Sequence, residues 1–418
     1  MYTPQRLLRS LFDAALAAVD PMQCVAAHLP PRPKGRTLVV GAGKASARMA
    51  RAVEAAWDGP LSGLVVTRYG HGDSCGRIEV VESSHPVPDQ AGATAAQRML
   101  DLAHTAGPDD LVLALMSGGG SSLITLPSPG VTMDDLRQLN QALLRSGAPI
   151  GDMNIVRRHL SSIKGGRLAV ACGAAAVHTL VISDVPGDDP AVVASGPTVP
   201  DSSTAQDALD VLRKHRIDVP DHVLRVLEGP ALAVAGAGGG LRRVQVIATA
   251  DTALQAAVVT ARKLGLEVVN LGGAIEGESR EVARQHAVLA RKLSAAQKLR
   301  PAHAGILLLS GGETTVTVKG QGRGGRNAEY VLALALALQG APDIHALAAD
   351  TDGIDGVEDN AGGLITPDSL SRAAAIGLDP QALLDNNDAH AFLAGVGDLV
   401  VTGPTRTNVN DFRALLIR

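Results

Sequence analysis

A chain of 418 residues with a formal net charge of −4 is too long for one ordinary core and too evenly charged to offer a footprint for nucleic acid or anionic lipid. Aromatic residues make up 2% of it, which removes the stacking platforms of single-stranded nucleic-acid binders. Cys24, Cys75 and Cys172 are scattered without C-x-x-C spacing, so neither a disulfide framework nor a zinc site is indicated, and a reducing, cytoplasmic setting is.

Along the chain, Leu7, Leu8, Leu11, Phe12 and Ala15 recur at helical spacing and predict an amphipathic helix docked on the body. A strand at 37–40, a helix at 45–57, a strand at 64–67, a helix at 92–104 and a strand at 111–115 follow. Thr132 opens a helix to 144 with Asp135 in a capping-box position. Another buried strand is expected at 177–182. The Gly-Pro and Gly-rich run at 228–241 reads as a connection, and beyond it the pattern restarts: strand 244–248, helix 252–263, strand 266–271, helix 279–293. Strands at 305–309 and 315–318, a helix at 327–338 and a strand at 345–348 complete the reading. Strands alternating with helices imply an α/β fold of two three-layer α/β/α, Rossmann-like domains, residues 1–235 and 236–418, with mostly parallel sheets.

Three glycine-rich turns each follow a short apolar run. They are Gly41-Ala42-Gly43-Lys44, Ser117-Gly118-Gly119-Gly120-Ser121-Ser122 and Ser310-Gly311-Gly312-Glu313-Thr314. Backbone N–H groups exposed after a strand, reinforced by a helix dipole, suit phosphate or carboxylate. The first resembles a dinucleotide fingerprint but has Ser46 where the third glycine belongs, and the next strand ends at Thr67-Arg68 without an acid. Arg68 leaves an NADP reading open. Lys44 stands at a helix start, where a cation faces an anion or simply solvent. Asn154, His159 and Lys164 fall about five residues apart in a basic stretch and do not form one helical stripe. Asp184 follows a buried strand, which makes it a candidate base or metal ligand. Arg326 and Asn327 open a helix, where a guanidinium fork suits phosphate. Asp350 and Asp352 fit Mg²⁺ held by one or two carboxylates plus phosphate oxygens, or a structural turn; the EF-hand pattern fails at Ile354 and Ala361.

Taken together, the runs GAGKA at 41–45, SSHPVPD at 83–89, SGGGSSL at 117–123, IKGGRLA at 163–169, SDVPGDD at 183–189, ASGPT at 194–198, SGGET at 310–314, GRGGRNAE at 322–329 and DTDGIDG at 350–356 resemble the glycerate 2-kinase family over essentially the whole chain. The resemblance implies transfer of the γ-phosphoryl of ATP to the 2-hydroxyl of D-glycerate with a divalent cation, Mg²⁺. It also implies a MOFRL-like second domain and an interdomain cleft. Lys44 and Arg326 take the catalytic positions, with Asp184 beside them as proton acceptor. Gly43, Ser117, Gly118, Gly119, Gly120, Ser121, Asn154, Lys164, Ser310, Gly311, Gly312, Glu313 and Asn327 are the expected substrate and phosphate contacts. Asp184, Asp350 and Asp352 are the expected metal ligands. Partners reduce to the small acid and nucleotide, with no nucleic acid or membrane and a homodimer allowed. The alternative is an NADP-dependent hydroxypyruvate reductase, for which His85 and His159 are the candidate acids.

Overall fold

The computed structural model describes residues 3–229, 240–298 and 304–418. The 235/236 boundary and most of the 228–241 connection lie outside them. Packing divides the chain into two units that do not follow chain order. Cys24–Ser183 and Asp188–Ile247 form one, and the chain up to Gln23, Asp184–Gly187 and Ala248–Arg418 form the other.

The first unit is built on a six-stranded sheet: β1 (Thr37–Ala42), β2 (Leu61–Arg68), β3 (Ile78–Ser83), β4 (Leu111–Ser117), β5 (Ala176–Ile182) and β6 (Arg242–Ala248), in the order β3-β2-β1-β4-β5-β6. The pairs β1–β2, β1–β4, β2–β3 and β4–β5 are all parallel. Every residue of β1 and β4 is buried, as expected of parallel strands covered on both faces. This is the parallel-sheet unit. A second apolar core lies among four helices, Met133–Arg145, Ile150–His159, Ala205–Lys214 and Asp221–Glu228. The helix opened by Thr132 carries the expected capping box, with the hydroxyl of Thr132 accepting from the Asp135 N–H and the Asp135 carboxylate accepting from the Thr132 N–H. Strand β6, which the sequence places after the restart, pairs at the edge of this sheet.

The second unit departs from the expected parallel sheet. Its strands are β7 (Glu267–Asn270), β8 (Gly277–Glu278), β9 (Ile306–Gly312), β10 (Thr314–Thr315), β11 (Ile344–Asp350), β12 (Gly362–Ile365), β13 (Leu399–Val400) and β14 (Asp411–Ile417). Six form a sheet in the order β13-β12-β11-β14-β9-β7, in which only β7–β9 is parallel. The pairs β12–β13, β11–β12, β11–β14 and β14–β9 are antiparallel. The C-terminal strand β14 inserts between β9 and β11 and runs against both, and β12 and β13 add two further antiparallel pairs at the far edge. The strand expected at 315–318 is confined to Thr314–Thr315 in a short ribbon with β8.

Successive residues of a strand face opposite sides of its sheet. On one side of β14, Leu415 and Ile417 join Leu308, Ala346 and Tyr330 in the core beneath helices Ser279–Lys298 and Arg326–Leu338. On the other side Phe412 meets Phe12 of the N-terminal helix Pro4–Ala18, ring centroids 5.5 Å apart. That helix packs on β11, β14 and helix Ala250–Lys263, so its buried face Leu7, Leu8, Leu11, Phe12 and Ala15 covers this sheet. Among the described residues no helix is long and apolar enough to cross a membrane.

Candidate active site

In the parallel-sheet unit the first two glycine turns interlock at the carboxyl ends of neighbouring strands β1 and β4, where open α/β sheets bind ligands. The Lys44 N–H donates to Gly118 O at 2.9 Å, and the Ala45 N–H donates to Ser117 Oγ at 3.0 Å. Gly43 sits at φ 136°, and a Cβ there would stand 2.1 Å from Ser117 Oγ, so only glycine lets the two turns close on each other. The Ser46 hydroxyl donates to Gly43 O and Val66 O, which ties the same turn to β2. His85 and the Lys44 stem lie over Gly119, 3.0 and 3.3 Å from where its Cβ would be. Gly120 and Ser121 begin a short helix, Gly120–Leu123, and the Ser121 hydroxyl meets Ser195 Oγ at 2.6 Å. Ala194 and Ser195 both hold positive φ, 53° and 60°, an unusual conformation for residues with a side chain.

A cavity of about 430 Å³ opens beside this turn. Gly119, Ser121 and Ser122 form one edge, and Val87, Leu136, Leu139 and Leu144 an apolar wall. Lys164 and Arg157 also line it. Lys164 is 5% exposed, and burial, then repulsion from Arg157, draws its pKa down to about 7. Arg157 donates to the carboxamide oxygens of Asn140 at 2.9 Å and Asn154 at 3.3 Å. Burial holds it below its ordinary value. Among the described residues neither cation has a carboxylate partner, so the cavity wall carries uncompensated positive charge. Asn154 thus acts through Arg157, while Lys164 meets the cavity itself. His159 is engaged elsewhere, with Ser203 Oγ at 3.1 Å and Asp201 at 3.7 Å.

The other unit treats its cation in the opposite way. Arg326 opens helix Arg326–Leu338 and donates from Nε to Asp411 Oδ1 at 2.7 Å, from Nη2 to Asp350 Oδ2 at 2.9 Å and from Nη1 to Glu313 Oε1 at 3.3 Å. Burial opposes the charge, but the carboxylates of Asp411, Asp350 and Glu313 outweigh it and hold the guanidinium well above its ordinary value. Asp411 is also paired with Arg413, which is fully buried and lies 5.3 Å from the Tyr330 ring centroid. Asn327 Nδ2 donates to Asp411 Oδ1 at 2.7 Å.

Asp355 caps the same helix from outside, accepting the N–H groups of Asn327 at 3.0 Å and Ala328 at 2.8 Å. A Cβ on Gly325 would stand 2.4 Å from the Asp355 carboxyl carbon, so this glycine of the GGRN run is required by the cap. Burial outweighs the two N–H bonds and pushes Asp355 up to about 6.

The third glycine turn is not the open loop the sequence suggests. Ser310, Gly311 and Gly312 lie in β9, paired with Arg413, Phe412 and Asp411 of β14, and the Gly311 N–H donates to Gly272 O. Their backbone is engaged in sheet and turn, not displayed to an anion. Glu313 of that run reaches Arg326 itself, and Thr314 Oγ1 accepts from Arg413 at 3.1 Å.

The expected metal ligands lie in this unit but are engaged in local structure. Asp350 Oδ1 accepts the Asp352 N–H, Asp352 Oδ1 accepts the Ile354 N–H, and Asp184 Oδ2 accepts from Asn408 Nδ2 at 2.9 Å. Among the described residues no three His, Cys, Asp or Glu side chains form a closed metal site. Asp355, Asp411 and Arg413 escaped the sequence reading. The available signal was Asp411 and Arg413 at i and i+2 in an otherwise apolar run, two charges on one face of a strand.

Comparison with known proteins places these features in context. Residues 7–228 match a family described as a domain of unknown function (DUF4147), and residues 306–411 match the MOFRL family. A protein of Agrobacterium vitis provisionally named a hydroxypyruvate reductase is 53% identical over 99% of this chain and 94% of its own. The D-glycerate 2-kinase of Thermotoga maritima is 39% identical over 98% of each chain. The crystal structure of a glycerate kinase from the same organism superposes with a TM-score of 0.88, at 38% identity and 99% coverage of both chains.

Proposed function

The chain belongs to the glycerate 2-kinase family, and from that premise we propose that it transfers the γ-phosphoryl group of ATP to the 2-hydroxyl of D-glycerate, giving 2-phosphoglycerate and ADP. The observation that carries this reading is the pair of interlocked glycine turns, with Lys44 in one of them, beside a cavity lined by Lys164 and Arg157, cations without carboxylate partners among the described residues. Phosphoryl transfer asks a protein for positioning and charge neutralisation more than for covalent chemistry. Lys44 and Arg326 neutralise the charge that develops on the transferring group. Gly118, Gly119, Gly120 and Ser121 orient phosphate oxygens through backbone and hydroxyl donors, while Gly43 and Ser117 hold the two turns together. The glycerate 2-hydroxyl oxygen forms its bond to phosphorus as the bond to the ADP oxygen breaks, and Asp184 accepts the hydroxyl proton.

Asp184, Asp350 and Asp352 offer the hard oxygen donors that suit Mg²⁺ held by one or two carboxylates and completed by nucleotide oxygens. When bound, that ion offsets phosphate charge. Arg326 reaches its role already fixed by Asp411 and Asp350, so its fork is aimed without a rotamer search. Three cysteines scattered without C-x-x-C spacing accord with a cytoplasmic setting for such an enzyme.

Phosphorus NMR of the product formed from D-glycerate, ATP and Mg²⁺ tests the reading. A 2-phosphoglycerate resonance is expected. A 3-phosphoglycerate resonance overturns the position of transfer, and NADPH oxidation on hydroxypyruvate without any phosphorylated product overturns the kinase.

A further inference from the structure

Resting on the kinase reading above, we propose that the cavity of the parallel-sheet unit is the nucleotide site, with the base on its apolar wall and the phosphates on Lys164 and Arg157. Size argues first. At about 430 Å³ the cavity falls in the range of roughly 300–1,000 Å³ typical of pockets that enclose a larger organic ligand. A three-carbon acid fills a small part of it and leaves the wall of Leu136, Leu139 and Leu144 without a partner.

Charge argues next. A glycerate carboxylate neutralises one cation, whereas this cavity presents Lys164 and Arg157, each without a carboxylate among the described residues. Two desolvated cations side by side repel each other, and a polyphosphate relieves both. Arg157 is held by the carboxamides of Asn140 and Asn154, which fix its direction and leave its charge intact. The wall has a polar border suited to a base edge, since Asn140 and Gln141 also line the cavity. The glycine turn at its rim, Gly119 to Ser122, then lies where the terminal phosphates leave the cavity.

Titration calorimetry of ADP into the full-length protein, without glycerate, tests this directly. Lys164→Met is expected to weaken ADP binding roughly tenfold or more, the effect of losing a charge-assisted contact. Leu144→Ser, on the exposed rim of the wall, is expected to weaken it about threefold by removing apolar contact. The glycerate KM is expected to stay within about twofold for both, a change too small to report a lost contact. Melting temperatures confirm that each variant is folded, and Leu144→Ser carries the test should Lys164→Met fail to fold. Undiminished ADP binding in folded variants, or a glycerate KM raised while ADP binding holds, overturns the assignment. So does a wild-type protein that does not bind ADP. Should the wild type bind ADP through these residues yet form no phosphoglycerate, the nucleotide site stands and the kinase reading falls.

Discussion

The two units handle a buried cation in opposite ways. Lys164 lines its cavity desolvated, with another cation as its electrostatic neighbour, and burial pulls its pKa toward neutrality. Arg326 stands among carboxylates from three segments distant in sequence, and its charge is fixed well above any accessible pH. The difference concerns what each cation is for. A cation left uncompensated in a cavity costs stability in the empty protein and recovers it when an anion binds. One already paired costs little when empty, and it contributes orientation rather than raw attraction.

The largest effect should come from breaking the paired side. Arg326→Ala leaves Asp350 and Asp411, both nearly inaccessible, without the guanidinium that joins them. Removing one partner of a buried pair costs about 3–5 kcal/mol, so unfolding in urea should show a loss of roughly that size together with loss of turnover. Arg326→Lys keeps the charge without the fork, and should restore part of the stability but little of the rate. Unchanged stability in Arg326→Ala would mean that the carboxylates do not depend on it, and the contrast between the units would collapse.

Why the sequence shows one of these sites and hides the other follows from contact distance along the chain. The turns at 41–46 and 117–122 are local, each a strand running into glycine, and their strands are neighbours in a parallel sheet of the expected kind. Lys164 was visible as a residue, but its burial was not, because the cavity it lines is shared with residues as far back in the chain as His85 and Gly119. The Arg326 cluster draws on positions 313, 350 and 411, and β14 reaches it only by inserting antiparallel between β9 and β11. No local period encodes that insertion. Gly-Gly at 311–312 reads as a loop for the same reason, since the partner that makes it a strand lies a hundred residues on. The N-terminal helix was legible from its apolar spacing, and its docking on the C-terminal unit was not.

On the uncompensated side the expected effect is smaller and opposite in sign. Lys164 has a folded pKa of about 7 against an ordinary 10.5. Between those values the unfolded chain binds a proton that the folded chain lacks, so stability of the empty protein should rise with pH across that window. Below about 7 both forms carry the proton and the whole penalty remains. Lys164→Met should therefore stabilise the empty protein by on the order of 2 kcal/mol near pH 6 and flatten the rise toward pH 10. Urea unfolding at a series of pH values reads both. A destabilised Lys164→Met with an unaltered pH profile would show that the lysine is paired after all.

The smallest effect comes from Asp355, the capping acid of the second unit. Asp355 caps the Arg326 helix but is buried near Asp411, which adds to the pressure against its charge. Its folded pKa is about 6 against an ordinary 3.8. Across that window the folded protein keeps a proton that the unfolded chain has lost, so this residue makes stability fall as pH rises from about 4 to 6. Asp355→Asn removes the titration and retains one acceptor for the helix N–H groups, so the net change near pH 7 should stay within about 1 kcal/mol, the size of a cap. The telling measurement is the slope between pH 4 and 6, which should flatten in the variant. A slope that persists would place the proton on another group, and Asp355 would then be an ionised cap like any exposed one.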